Sequence, residues 1–300
     1  MGVNEPIKLS FEFNLPNRYM RFVGSANGLV CFFDFKIDKL YISNPLLGEF
    51  FALPEFLSRS QSKAAYGFSC STVQLAYKIL RIKKDCPARD TTSKNSTAEL
   101  YTFKTGKWMN IGHALYPQAS NGRFGARVNG ILHWIIEDPE SSDVICCFDI
   151  EKEVFGSVQL PSALKNFWGR IDLKVESLRN TLFVFHGSSM YLHIFSMKEY
   201  GVNRSWSQDH KIQKSILPPP LRTSELQPIT MWRDKFLFSA PQGPLLSYNS
   251  TTNVFAEVNT IGMHSGFQGF EYLSTFLSIK KSVEVETIAL WKKVIQVLCV

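Results

Sequence analysis

The sequence predicts an all-β fold assembled from one four-stranded unit used several times over, and three observations carry that expectation. The chain of 300 residues is 45% hydrophobic and 13% aromatic, with 24 Phe, a composition that together with Val, Ile and Tyr favours strands over helices. Few stretches keep helical spacing for longer than about two turns. A hairpin with an aromatic residue on each arm returns at a period of about fifty residues.

The first unit is FVGSANGLVCFFDFKIDKLYISNPLLGEFFALP, residues 22–54, in which Asn27-Gly28 and Asn44-Pro45 are turn signals between apolar runs. Its strands are expected at Arg21–Gly24, Leu29–Phe33, Lys39–Ser43 and Glu49–Leu53. The aromatic hairpin falls at Tyr41…Phe50, Tyr101…Trp108, Phe148…Phe155, Phe195…Trp206 and Tyr248…Phe255. Between the arms lie SNPLLGE, TFKTGK, DIEKEV, SMKEYGVNRS and NSTTNV, turn-rich or polar segments suited to hairpin loops. A second landmark, the tight turn opening each unit, falls at Asn27-Gly28, near Gln74, and at Asn129-Gly130, Arg179-Asn180 and Arg233-Asp234. The third unit then reads as strands Phe124–Val128, Ile131–Ile136, Val144–Phe148 and Val154–Val158.

Four strands that must bury both faces are covered by radial stacking of copies, so the expected architecture is a kelch-like β-propeller. About six four-stranded blades are predicted, closed by N- and C-terminal strands: IKLSFEFN at Ile7–Asn14 would pair with strands from Phe267–Ile279 to complete the last blade. The domain reading is a closing strand within residues 1–20, a propeller over 21–279 and a tail over 280–300. In the tail, Ala289, Leu290, Val294, Val297 and Leu298 roughly fit helical spacing, and Val283, Val285 and Ile288 fit a strand less well.

The net charge of +7 comes from Lys and Arg that are scattered, with short pairs such as Lys83-Lys84 and Lys280-Lys281. That pattern is a solvated basic surface, and nucleic acid is not an expected partner. The six Cys form no C-x-x-C pair, and Cys31, Cys146 and Cys147 read as small buried hydrophobes of a reducing compartment. Adjacent Cys146 and Cys147 would point to opposite sheet faces, which argues against joint metal ligation. MGVNEPIKLSF lacks the signature of a secretory leader, and no run approaches the roughly 18 apolar residues of a membrane span. The expectation is a cytoplasmic or nuclear protein without a membrane partner, in which the sequons at Asn95, Asn203 and Asn249 are chance matches.

No catalytic signature stands out. The six His form no H-E-x-x-H, and neither a G-x-S-x-G elbow nor a phosphate-binding glycine loop is present. His133, beside Trp134 in an apolar strand, reads as a core imidazole. No cofactor or metal site is expected. A propeller enzyme or small-ligand binder acting at the central channel is the alternative, since catalytic residues gathered from several blades leave no local motif.

Recognition is expected at one end of the strands. The turns joining strands 1 to 2 are tight, whereas those at the other end include Glu55–Lys63, Lys84–Ser96, Gly112–Gly122 and Ile212–Gln227, and long loops on a rigid scaffold are where binding usually resides. Arg21, Arg123, Trp168, Arg170 and His264 are the candidate partner-binding residues at that mouth, because Arg and aromatic side chains supply most interface energy. Each also has a structural reading, as an inter-blade plug or a donor to loop carbonyls. Leu217-Pro218-Pro219-Pro220-Leu221 would be a stiff polyproline stretch, read chiefly as a connector between the fourth and fifth blades.

The ordered motifs VGSANGLVCF (Val23–Phe32), YISNPLLGEFFALP (Tyr41–Pro54), YGFSCSTVQLAYKILRI (Tyr66–Ile82), AELYTFKTGKW (Ala98–Trp108), RVNGILHWII (Arg127–Ile136) and ICCFDIEKEVFGSVQLP (Ile145–Pro161) resemble the plant F-box-associated domain of F-box/kelch-repeat proteins. The resemblance implies a substrate-binding role in an SCF-type ubiquitin ligase, where the propeller captures a target and an upstream helical F-box docks the Skp adaptor. Nothing in MGVNEPIKLSFEFNLPNRYM resembles an F-box, so Skp adaptor and cullin are expected as partners only if an F-box is supplied upstream.

Overall fold

A computed structural model describes residues 8–12, 20–57, 64–71, 73, 76–84, 96–115, 117, 124–136, 144–164, 173–222, 225–240, 244–258, 269–276, 278–279 and 294–298. After β1 (Lys8–Glu12), the first four-stranded sheet is β2 (Met20–Ala26), β3 (Leu29–Asp34), β4 (Lys39–Asn44) and β5 (Glu49–Ala52). The second is β6 (Ala65–Cys70), β7 (Tyr77–Lys84), β8 (Ser96–Thr102) and β9 (Lys107–His113), and the third is β10 (Ala126–Val128), β11 (Ile131–Ile135), β12 (Val144–Asp149) and β13 (Val154–Gln159). The fourth contains β14 (Leu173–Leu178), β15 (Thr181–Gly187), β16 (Tyr191–Met197) and β17 (Trp206–Gln213). The fifth contains β18 (Gln227–Trp232), β19 (Lys235–Ser239), β20 (Leu245–Asn249) and β21 (Val254–Glu257). Every sheet is an antiparallel meander in chain order.

The chain divides into two compact units, one formed by residues 1–159 with 272–300 and the other by residues 160–271. In the first unit, the second sheet is buried on both sides. Ile79 and Tyr101 join Val23, Cys31 and Ile42 of the first sheet in one cluster, while Leu80, Ile82 and Leu100 join Leu132, Trp134 and Phe148 of the third in another. Successive strand residues point to opposite faces, so burial on both sides demands the unbroken apolar run that Ile79 to Ile82 nearly provides. The Trp134 indole reaches across to the neighbouring first strands, where a Cβ on Gly125 or Gly67 would sit 2.5 or 2.9 Å from its Cζ2. A parallel bridge between Tyr66 and Phe124 sets the opening strands of these two sheets running the same way. In the second unit, Phe183, Phe185 and Ile194 of the fourth sheet pack with Phe236, Phe238 and Tyr248 of the fifth.

Four of the five expected opening turns are present, and the one near Gln74 lies outside the described residues. Asn27 and Gly28 lie at φ +42° and +80°, Asn129 and Gly130 at +50° and +80°, Arg179 and Asn180 at +51° and +60°, and Arg233 at +53°. Four of the five aromatic hairpins also close as expected, with ring centroids 4.8 Å apart for Tyr41 and Phe50, 5.2 Å for Tyr101 and Trp108, and 4.8 Å for both Phe148 with Phe155 and Tyr248 with Phe255. The fourth hairpin differs. The ladder closes at Met197 opposite Trp206, which leaves Phe195 facing Gln208, and the register shifts by one residue beyond it, between Phe195 and Ile194.

Three other expectations are corrected. Five four-stranded sheets stand among the described residues where about six blades were predicted. β1 pairs with β22 (Val294–Leu298), from the tail once read as roughly helical, instead of with Phe267–Ile279. The described part of that segment holds no strand, because its backbone is held by side chains of the first sheet: Asn44 Nδ2 donates to the Thr275 carbonyl at 3.1 Å, and the Ile279 amide donates to Glu49 at 2.5 Å. Finally, Pro219–Leu221 forms a 3-10 turn rather than a polyproline rod, with the Leu221 amide donating to the Pro218 carbonyl at 2.8 Å. Its flanking residues Leu217 and Leu221 are buried in the core of the second unit, which favours the connector reading over a displayed ligand.

Candidate interaction surfaces

In the first unit, the loops following second and fourth strands expose large apolar side chains. Phe35 and Ile37 in the β3–β4 turn are 48% and 54% exposed, and Leu57 after β5 is 56% exposed. Leu115, after β9, is also exposed. Of the five sequence-predicted residues, Arg21 lies at this end: it is exposed near the start of β2 with its guanidinium 5.7 Å from the Phe35 ring centroid. Arg123, Trp168, Arg170 and His264 lie outside the described residues.

Beneath these loops is a buried charge network that the sequence reading missed. Arg81 on β7 and Glu99 on β8 are both almost wholly inaccessible, and their side chains meet at 2.9 Å. Lys83 adds a second cation 3.0 Å from Glu99. Arg81 also lies 3.9 Å from the Phe56 ring centroid and 3.9 Å from Asp38, whose carboxylate accepts from the Tyr66 hydroxyl at 3.5 Å. Burial raises the Tyr66 hydroxyl pKa well above its ordinary value, so it stays a donor. Asp38 belongs to the turn that presents Phe35 and Ile37, and Phe56 precedes Leu57. The network therefore pins the two loop bases that carry the exposed apolar residues. A charged residue at an inward position of YKILRI was the signal available in the sequence.

At the other end of the strands, the first unit is tied to itself. The Asn27 carbonyl accepts from the Tyr77 hydroxyl and the Gly28 carbonyl from the Tyr272 hydroxyl, each at 3.1 Å. Ser69 Oγ donates to the Gly130 carbonyl at 3.3 Å and accepts from Arg127 Nε at 3.1 Å. Buried Lys78 donates to Glu153 at 2.6 Å and to the Ile150 carbonyl at 3.1 Å. The Ser71 hydroxyl donates to Glu151 at 2.6 Å.

The corresponding end of the second unit is built differently. Trp232, at the end of β18, is 41% exposed, and Arg179 and Arg233 from the two opening turns lie over it, with guanidinium carbons 5.2 and 5.8 Å from its ring centroid. Glu271 accepts from the Arg179 amide at 3.4 Å and from the Thr230 hydroxyl.

The titratable groups show where chemistry is suppressed. His133 is fully buried with Nδ1 3.1 Å from the Ala126 carbonyl, and desolvation brings its pKa down to about 4, which keeps it neutral as a core imidazole should be. Burial pushes the Cys146 thiol up to about 12 and raises Cys31 and Cys70, so these thiols stay protonated near neutrality. Cys146 is buried and its neighbour Cys147 partly accessible, in keeping with opposite faces of β12. Glu176 on β14 is the exception. Its desolvated carboxyl is pushed up to about 7, against the opposing effect of Lys174. Among the described residues, no group of three or more His, Cys, Asp or Glu is placed to hold a metal ion.

Comparison with known proteins gives the repeated sheet a family. The model of the F-box associated β-propeller domain matches residues 3–199. The chain belongs to that family. Its fold is a β-propeller with four-stranded blades, and the fifth sheet continues the same unit beyond the matched region. Among similar proteins of Arabidopsis thaliana, F-box protein At3g07870 is 27% identical over 236 residues, covering 71% of this chain and 55% of that protein. F-box protein CPR1 is 24% identical over 267 residues, covering 79% and 61% respectively. F-box/kelch-repeat protein At3g23880 is 25% identical over 202 residues, covering 63% and 52%. The chain thus spans a little over half the length of these relatives.

Proposed function

We propose that this propeller is the target-capturing part of an F-box protein, binding a partner protein at the loop end of its blades and performing no chemistry itself. The observation that carries the reading is the set of exposed apolar side chains Phe35, Ile37 and Leu57 on loops anchored by the buried Arg81–Glu99 pair. Exposed apolar groups on rigid supports bind without a large ordering cost. Arg21 beside Phe35 adds the residue types that dominate interface energy, and Arg123, Trp168, Arg170 and His264 stand as the further candidates read from the sequence. With an F-box supplied upstream, a target held here would be delivered to the Skp adaptor and cullin of a ubiquitin ligase.

Affinity capture from plant extract tests this reading, comparing wild type with Arg21→Ala/Phe35→Ala and with Arg123→Ala/Trp168→Ala. Each variant should lose specific proteins while keeping the wild-type melting temperature; unchanged partner sets from folded variants would overturn the reading. The alternative, a channel enzyme or small-ligand binder, has support in Glu176, since a carboxyl brought near pH 7 suits acid-base work. That alternative requires a metal ion or sugar to raise the melting temperature of wild type but not of Glu176→Gln.

A further inference from the structure

The left-handed backbone region that opens each blade suits Gly and Asn, and disfavours residues with longer side chains. The first unit follows that preference with Asn27-Gly28 and Asn129-Gly130. The second unit instead puts Arg179 at φ +51° and Arg233 at φ +53°, so its turn geometry does not explain the choice of arginine. What the two arginines share is Trp232: both guanidiniums lie within 6 Å of its ring centroid, and all three side chains are exposed.

Neither guanidinium has an ion-pair partner among the described residues. Arg179 contributes its amide, not its guanidinium, to Glu271. Asp234 accepts through its backbone carbonyl from the Ser250 amide at 2.7 Å. Lys235, the cross-strand partner of Trp232, adds a third cation against these two carboxylates. Two arginines beside one ring repel each other and are preoriented by it, an arrangement completed by an anion that fits guanidinium forks beside an apolar group that covers the indole. In the first unit the opening turns at the same strand end are held by internal hydrogen bonds, whereas here the Arg179, Trp232 and Arg233 side chains face solvent.

We propose that Arg179, Trp232 and Arg233 form a second docking surface, at the tight-turn end of the second unit, for a protein segment in which Asp or Glu alternates with apolar residues. This surface shares no residue with the one assigned to target capture, and its test needs neither an F-box nor a known target. The purified chain is titrated, by fluorescence anisotropy, against a labelled peptide alternating glutamate with leucine, against its lysine-for-glutamate counterpart, and against a version with phosphoserine in place of glutamate. Arg179→Asn/Arg233→Asn keeps the turn conformation while removing both cations, and Trp232→Ala removes the ring. The glutamate peptide should bind wild type in a salt-sensitive way, and each variant should weaken it by about tenfold or more. Trp232 emission should shift on binding. Equal affinity for wild type and the folded double Asn variant, or no preference for the glutamate peptide over the lysine one, would overturn the proposal; binding of the phosphoserine peptide alone would overturn the carboxylate assignment and make the surface a phosphate reader.

Discussion

The two units form the same opening turn from opposite chemistry, and the contrast separates residues present for the fold from residues present for something else. In the first unit Gly28 is required twice over. Its φ is +80°, and an added Cβ would run into the Thr275 side chain and come within 2.9 Å of the Thr275 amide nitrogen. Gly130 has the same φ but nothing within 4 Å of such a Cβ. In the second unit no glycine is used, and Arg179 and Asn180 both hold positive φ. Gly28 is fixed by packing as well as by backbone preference and Gly130 by backbone preference alone, whereas at Arg179 and Arg233 the side chain is kept against that preference.

Disrupting the first unit's anchoring should have the largest effect. Glu99→Ala leaves Arg81 buried beside a lost carboxylate and should cost about 3–5 kcal/mol by chemical denaturation, a loss that a mere surface pair would not produce. Gly28→Ala should cost about 2–4 kcal/mol from strain plus collision, against about 1 kcal/mol for Gly130→Ala, which carries the strain alone. Equal losses would show that Thr275 yields and that the turn is not packed as described.

The units should also differ in their response to pH. Glu176 has a folded-state pKa of about 7, above its ordinary 4.5, so the folded chain holds its proton more tightly and stability falls as pH rises from about 4.5 to 7. Glu176→Gln should therefore stabilise by about 1–2 kcal/mol at pH 8 and leave stability unchanged at pH 4. His133 acts the other way: its pKa falls from 6.5 to about 4, and its contribution is lost as pH drops through that interval. The smallest effect is expected at the open turns. Arg233→Asn should leave stability unchanged or raise it by up to about 1 kcal/mol, because Asn tolerates positive φ better than Arg. A clear loss would assign the arginine to the fold after all.

These contrasts also explain what was legible beforehand. Asn27-Gly28 and Asn129-Gly130 could be read because residue type and conformation agree there, and the direct aromatic pairs at Trp108, Phe155 and Phe255 could be read because register keeps them opposite. The Phe195…Trp206 pairing failed because the ladder closes with Met197, not Phe195, opposite Trp206, and no residue in SMKEYGVNRS announces that register. The two ends of the sequence do pair, but as a two-stranded sheet that completes no four-stranded blade among the described residues and with a partner not expected: VIQVL at Val294–Leu298 fits either period over so short a span. Arg81 went unnoticed because a lone charge in an apolar strand looks like a solvent-facing residue until the neighbouring sheet is in place. Arg233-Asp234 was recognised as a turn, but the meeting of Arg179 with Trp232 joins residues from two sheets and leaves no local mark.

The pairing of β1 with β22 has a mechanical consequence. Lys8 lies opposite Leu298 and Glu12 opposite Val294, so the start of β1 and the end of β22 lie side by side at the same end of this ladder. Tension applied between them would load its hydrogen bonds one rung after another, as in opening a zipper, instead of shearing all five register pairs together. Stretching from the ends should thus peel away the terminal strands at low force before any blade yields, and single-molecule pulling would register that step as a separate early event.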